Sequence, residues 1–275
     1  MKKTCTAVLL LFFAFSDADA QDIYNIENSK QFASYLYQSK QFELAAIEYE
    51  RLLFLDTEND SIKFKLLSSY FRNGDYSKAI KRSKKLYSEI TYFTDPVANL
   101  YLKLLVLNED YITFEKVYAK IPLSNNSKVI YKLHKHILTR EWQQAYTTYN
   151  QMSDFSFTYK EEFNELLERS KDPKTKKPWL AGIFSAIIPG TGKFYTGNYK
   201  DGIFSLLVVG GTAFQAYRGF NKDGLSATSG WIFGAVATGF YAGNVYGSIK
   251  SAQVYNENYW LAIEDETRIL INNSY

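Results

Sequence analysis

Few residues in this chain have the types and spacing to do chemistry. The turn Pro189-Gly190-Thr191-Gly192-Lys193 is glycine-rich and ends in lysine, the outline of a phosphate cradle. A nucleotide loop of that kind needs a glycine, four residues, Gly-Lys and then Ser or Thr, so that backbone amides ring the phosphates and the hydroxyl holds magnesium. Here Ile187 stands where the first glycine belongs and Phe194 follows Lys193, so both tests fail. His134 and His136 lie two apart on a predicted helix, which turns them to different faces and argues against shared metal ligation. Glu161 with Glu162, and Glu264 with Glu266, have no convergent partner and read as solvated faces. Lys193, Lys200, Asp201 and Tyr195 cluster between apolar runs and read as boundary residues. No catalytic, cofactor-binding or metal-ligating residue is assigned, and the chain is expected not to be an enzyme.

The elements that carry these residues divide by composition. Residues 21–170 are dense in Lys, Glu, Asp and Tyr, residues 171–178 form a basic linker with two prolines, and residues 179–250 hold most of the glycines. Residues 251–275 read as a polar tail. Within 179–250 the runs Gly202–Tyr217 and Ser229–Ile249 carry no charge. Their lengths bracket the roughly 20 residues a helix needs to cross about 30 Å of hydrocarbon, which predicts a transmembrane hairpin. The run from Trp179 to Ile188 is too short to span and predicts an interfacial or re-entrant helix anchored by Trp179. Two spans are favoured over three for that reason.

The first twenty residues run from Lys2 and Lys3 through an apolar stretch to Ala18-Asp19-Ala20, the order of a cleaved secretory signal. Cys5 is the one cysteine and precedes the apolar stretch, so the exported chain is expected to lack disulfides and thiolate chemistry. The net charge of +3 over 275 residues is small and interspersed, which argues against a nucleic-acid partner. Four lysines in the linker suit anionic headgroups instead.

From Ser29 to Ser170 apolar residues recur at helical spacing, and the segments Lys40–Asn59 and Asn73–Ile90 superpose at a spacing of 34. Phe42 then matches Tyr76, Ala45 matches Ala79 and Leu52 matches Leu86. Asp110, Tyr111, Phe114 and Tyr118 make a third copy ending near Pro122, and Trp142, Ala145, Tyr149 and Met152 a fourth, after a helix from Ser127 to Thr139. Phe155 to Ser170 reads as a polar-faced capping helix.

This pattern resembles the tetratricopeptide repeat, carried best by Gly74, Tyr76 and Ala79, with Lys40 in place of the glycine in the first copy. The resemblance implies an all-α, right-handed helical solenoid whose concave face binds peptides or partner proteins. Tyr35, Gln38, Lys65, Ser69 and Arg72 are the candidate groove residues, with a merely solvated face as the alternative.

Residues 178–256 resemble a small bacterial membrane domain whose turn is usually written PG-x-GQ-x-Y-x-G. The counterparts here are Pro189, Gly190, Gly192, Tyr195 and Gly197, followed by Tyr241, Gly243, Asn244, Tyr246, Gly247, Tyr255 and Asn256. Lys193 replaces the usual glutamine. The resemblance implies architecture without an activity. Gly239, Gly243 and Gly247 recur every fourth residue, which predicts close helix packing against Gly210, Gly211 and Ala213, within one hairpin or between copies. Asn244 and Gln215 lie in the apolar runs and need polar partners, expected first between spans or at the Pro189 turn.

Together these readings predict a bacterial envelope protein, integral to the membrane, with an exported, periplasmic repeat domain that acts as a scaffold or adaptor for partner proteins. A component of transport or membrane-protein insertion is the first alternative, and a membrane-bound enzyme the second.

Overall fold

The computed structural model describes residues 25–152 and 156–274, so the expected signal at 1–20 lies outside the described residues. The described chain is all-helical, with no strand among the described residues. Its helices are α1 (Ile26–Gln38), α2 (Phe42–Leu55), α3 (Asp60–Arg72), α4 (Tyr76–Leu86), α5 (Asp95–Leu107), α6 (Tyr111–Tyr118) and α7 (Asn125–Leu138). There follow α8 (Trp142–Asn150), α9 (Lys160–Lys171), α10 (Pro178–Ile187), α11 (Thr191–Tyr195), α12 (Tyr199–Asp223) and α13 (Thr228–Asn273). Contacts divide the chain into two units, residues 1–131 and 132–275.

One turn recurs four times. At Lys40, Gly74, Glu109 and Arg140 the backbone enters the left-handed region, with φ of 61°, 82°, 58° and 57°. At each, the N–H of that residue donates three residues back and the N–H of the next donates five back. Lys40 reaches Tyr37 and Gln41 reaches Leu36; Arg140 reaches Ile137 and Glu141 reaches His136. This is the Schellman closure, which satisfies carbonyls that a helix end otherwise leaves open. Five residues beyond each turn comes a fully buried side chain: Ala45, Ala79, Phe114 and Ala145. Three of the four turn residues carry a Cβ in a conformation that costs them about 1 kcal/mol.

In the first unit, aromatic residues fasten the turns at Lys40 and Gly74 to their own helices. Tyr37 meets Phe42 edge-on at 5.4 Å, and Phe71 stacks on Tyr76 at 5.9 Å. Helix α5 supplies the centre of the core, with Leu100 through Leu107 all buried. On α2, Glu50 takes a bidentate pair from Arg82 of α4 and a hydrogen bond from the Tyr70 hydroxyl of α3. That carboxylate therefore ties three successive helices together.

In the second unit α13 dominates. Its 46 residues make a rod of about 69 Å at 1.5 Å per residue. The first half packs on α12 and α10. The second half packs on α9 and the start of α8: Trp260 stacks on Trp142 at 5.2 Å, Tyr259 donates to the Arg169 carbonyl, and Arg169 pairs with Glu266. Residues 251–274, expected as a polar tail, therefore continue the helix and carry three buried positions one turn apart, Ile263, Thr267 and Ile271.

The transmembrane hairpin expected from the two charge-free runs is not supported by helix hydropathy. No described helix is long and apolar enough to cross a membrane. Length is not what fails, since α12 has 25 residues and α13 has 46. Glycine, tyrosine, threonine, glutamine and asparagine occupy many positions within the charge-free runs and dilute their apolar character.

Candidate functional site

The site of most interest is built on the reversal between α10 and α11. Gly190 holds φ at 91°, and a Cβ there would run into the Gly202 carbonyl of α12. A Cβ at Gly192 would run into the Ala181 carbonyl of α10. Only glycine permits this approach of three backbones. Gly197 also holds positive φ, at 81°, but faces open space, so its requirement is conformational and not steric.

A buried polar network clamps the reversal onto α13. Asn244 accepts from the Gly190 amide at 3.1 Å and donates to the Ser185 carbonyl at 3.3 Å, so its carboxamide meets the turn with both ends. Ser185 accepts from the Gly192 amide and shares a 2.6 Å bond with Ser248, whose hydroxyl also donates to the Asn244 carbonyl. Ser185 and Ser248 are fully buried and Asn244 nearly so, and each of these polar groups has a partner. Such a network fixes geometry, because leaving any member unmatched in a dry interior costs more than forming it gains. Tyr241 adds a bond to the Ala186 carbonyl.

At the open end of the reversal, Tyr195 accepts from the Lys177 amide, and Thr196 and Asn198 both meet Ser251. Asn256 brackets Lys176, accepting from its N–H and donating to its carbonyl. Helix α10 thus leaves the Asn256 level, turns at Asn244, and the chain comes back through α11 to Ser251. The path is re-entrant along α13.

Beside the network lies a cavity of about 210 Å³ between α12 and α13. Lys193 reaches it past Gly247, where an added Cβ would touch the lysine Cε at 3.6 Å. The ammonium donates to Ser205 Oγ at 2.9 Å, and the other walls are Phe204, Val208, Val209, Gly239, Phe240, Gly243 and Asn244. No carboxylate pairs with Lys193 among the described residues. The lysine nitrogen thus stands beside a neutral hydroxyl, with no histidine or carboxylate in the cavity lining.

The predicted glycine stripe is placed differently from its expected role. An added Cβ at Gly239 or Gly243 meets nothing within 4 Å, and the same holds for Gly210 and Gly211. Gly239 and Gly243 border the cavity, and Ala213 is exposed. Close approach of α12 to α13 occurs at Gly219 instead, where a Cβ would sit 2.7 Å from the Gly230 nitrogen. Gln215 is exposed.

Of the groove candidates on the first unit, Tyr35, Gln38 and Arg72 are exposed, and Lys65 is half-buried with its ammonium 4.8 Å above the Tyr37 ring. Ser69 is fully buried and spends its hydroxyl on the Lys65 carbonyl, so its side chain offers nothing to a ligand. Sequence reasoning missed Lys103, which is 2% exposed, 5.5 Å above the Phe71 ring. Burial, with the Arg72 charge nearby, lowers its pKa to about 7. Its signal was a single lysine inside the apolar run of α5.

The histidines do not converge. His134 stacks on Phe163 at 4.8 Å, and His136 Nδ1 lies 2.5 Å from Glu141. Among the described residues no three of His, Cys, Asp or Glu gather as a metal site. No family model, curated protein or solved structure matches the chain.

Proposed function

We propose that the protein is an adaptor of the bacterial envelope, in which α10 to α13 seat the chain in a lipid bilayer and the exported helical repeats hold partner proteins at its surface. The carrying observation is the apolar surface of the hairpin. Leu207 is 68% exposed, Phe204 67%, Trp231 61% and Ile232 58%, and Ile187 at the re-entrant turn is 74% exposed. Large apolar side chains exposed in this number on one hairpin are unfavourable in water and mark a lipid or protein contact.

Lipid is the reading favoured by the distribution of polar groups. Ser185, Ser205, Asn244 and Ser248 turn inward, so the hydropathy of the whole helix understates that of its outer surface. The charged residues Lys200 and Asp201 lie at one end of α12 and Arg218, Lys222 and Asp223 at the other, with none between. The exposed Trp179 beside the lysine-rich linker suits the headgroup zone. Helix α13 runs unbroken from this hairpin to its contacts with α9. Such an arrangement confines whatever the repeats bind and raises its effective concentration without chemistry.

Two measurements test the two halves. The full chain is expected to stay with membranes after alkaline carbonate extraction, and a variant carrying F204Q, L207Q and I232Q to be released. Release of the unaltered chain, or self-association in detergent-free buffer that covers the same surface, overturns the lipid anchor. A photoreactive residue at Arg72 in intact cells is expected to capture one reproducible protein, lost with K65E. Capture of nothing, or only of copies of this chain, overturns the adaptor.

A further inference from the structure

We infer that the cavity between α12 and α13 is a binding site for an anionic phospholipid of the surrounding bilayer, with Lys193 as the phosphate ligand. The inference rests on the reading of the hairpin as lipid-embedded. Three features point to this class of ligand.

The first is charge. Lys193 brings an ammonium into a cavity whose walls are otherwise apolar or neutral, and its partner is the Ser205 hydroxyl at 2.9 Å. A hydroxyl is a neutral acceptor, so two of the three ammonium protons and the full charge are left for an anion. In a low-dielectric setting that demand is strong.

The second is shape. At about 210 Å³ the cavity is below the usual range for a small-molecule pocket. It fits a phosphate and the first methylenes of a chain, not a whole lipid. The remainder has an open exit, because Gly239 and Gly243 present a bare helix face and Phe204 and Phe240 flank it with exposed rings. Glycine at these positions is not needed for helix packing, since nothing lies within 4 Å of an added Cβ.

The third is rigidity. Lys193 belongs to α11, which the Gly190–Asn244 and Gly192–Ser185 bonds lock in place, and its stem lies against Gly247. The ammonium is therefore aimed before any ligand arrives. Preorganised charge of this kind loses little entropy on binding.

The test uses the full chain purified in dodecyl maltoside and titrated with dodecyl phosphate, dodecylphosphocholine or inorganic phosphate, binding being read by calorimetry. Dodecyl phosphate is expected to bind, K193Q to weaken it about tenfold or more, and K193R to restore most of it. G243L, which fills open space, is expected to block the chain exit while leaving the helical signal unchanged. Unaltered binding in K193Q, equal binding of dodecylphosphocholine, or full competition by inorganic phosphate overturns the site. Carbonate extraction separates this from the anchor. A chain that stays in the membrane while K193Q binds normally keeps the anchor and loses the site; a chain that is extracted yet binds dodecyl phosphate through Lys193 keeps the site and loses the bilayer as its source.

Discussion

The Asn244 carboxamide accepts a hydrogen bond from the Gly190 amide at 3.1 Å, joining positions 54 residues apart, and with its other end donates to Ser185. One side chain therefore fixes the depth at which the re-entrant turn meets α13.

Replacing it should be costly. N244A leaves a buried N–H and a buried carbonyl unmatched, and is expected to lower stability by about 2–4 kcal/mol. Denaturation of the full chain in detergent, followed by tryptophan fluorescence, measures this; a loss under about 0.5 kcal/mol would mean the clamp is not closed in solution.

The glycines should separate into two groups. G192A collides with the Ala181 carbonyl and is expected to cost several kcal/mol or to prevent assembly of the turn, as overpacking against backbone has no flexible relief. G239A and G243A meet open space inside a helix and are expected to raise stability by about 0.5–1 kcal/mol. Destabilisation by either alanine would restore the glycine stripe as a packing surface.

The left-handed turns offer a matched set. K40G and E109G should stabilise by about 0.5–1 kcal/mol, since glycine adopts that conformation without a Cβ penalty. R140G should not, because Arg140 holds Glu257 through two bonds and Glu264 through a third. Chemical denaturation of the three variants checks the order; R140G as stabilising as the other two would show that the pairs on α13 contribute nothing.

Lys103 predicts a pH dependence. Its pKa is lowered to about 7 by burial, against about 10.5 in the unfolded chain, so the unfolded state binds more protons between those values. Stability should therefore rise as pH increases from about 7 toward 10. Above 10 the trend should reverse, because burial pushes the hydroxyls of Tyr49 and Tyr101 up to about 12 and the unfolded chain deprotonates first. In K103M the rise between 7 and 10 should vanish; a rise that persists would assign the effect to another group.

The sequence by itself determined the helical class and marked the turn at Gly74, because a 3.6-residue apolar period and a glycine between two such runs are local signals that need no partner to be read. It also located the Pro189 turn and pointed Asn244 toward it, since glycine spacing and a polar residue in an apolar run each state a local need. Tertiary structure alone decided the rest. Glu109 and Arg140 take the glycine conformation at turns where residue type gives no hint, because helix packing on both sides outweighs a cost of about 1 kcal/mol. Gly239 and Gly243 border a cavity, and residues 251–273, read as a polar tail, continue a long helix. Which face a glycine or a charge presents depends on the rotation of a whole helix against its neighbours, and that rotation is set by contacts such as Ser185 with Ser248 and Trp142 with Trp260, which pair residues far apart in the chain.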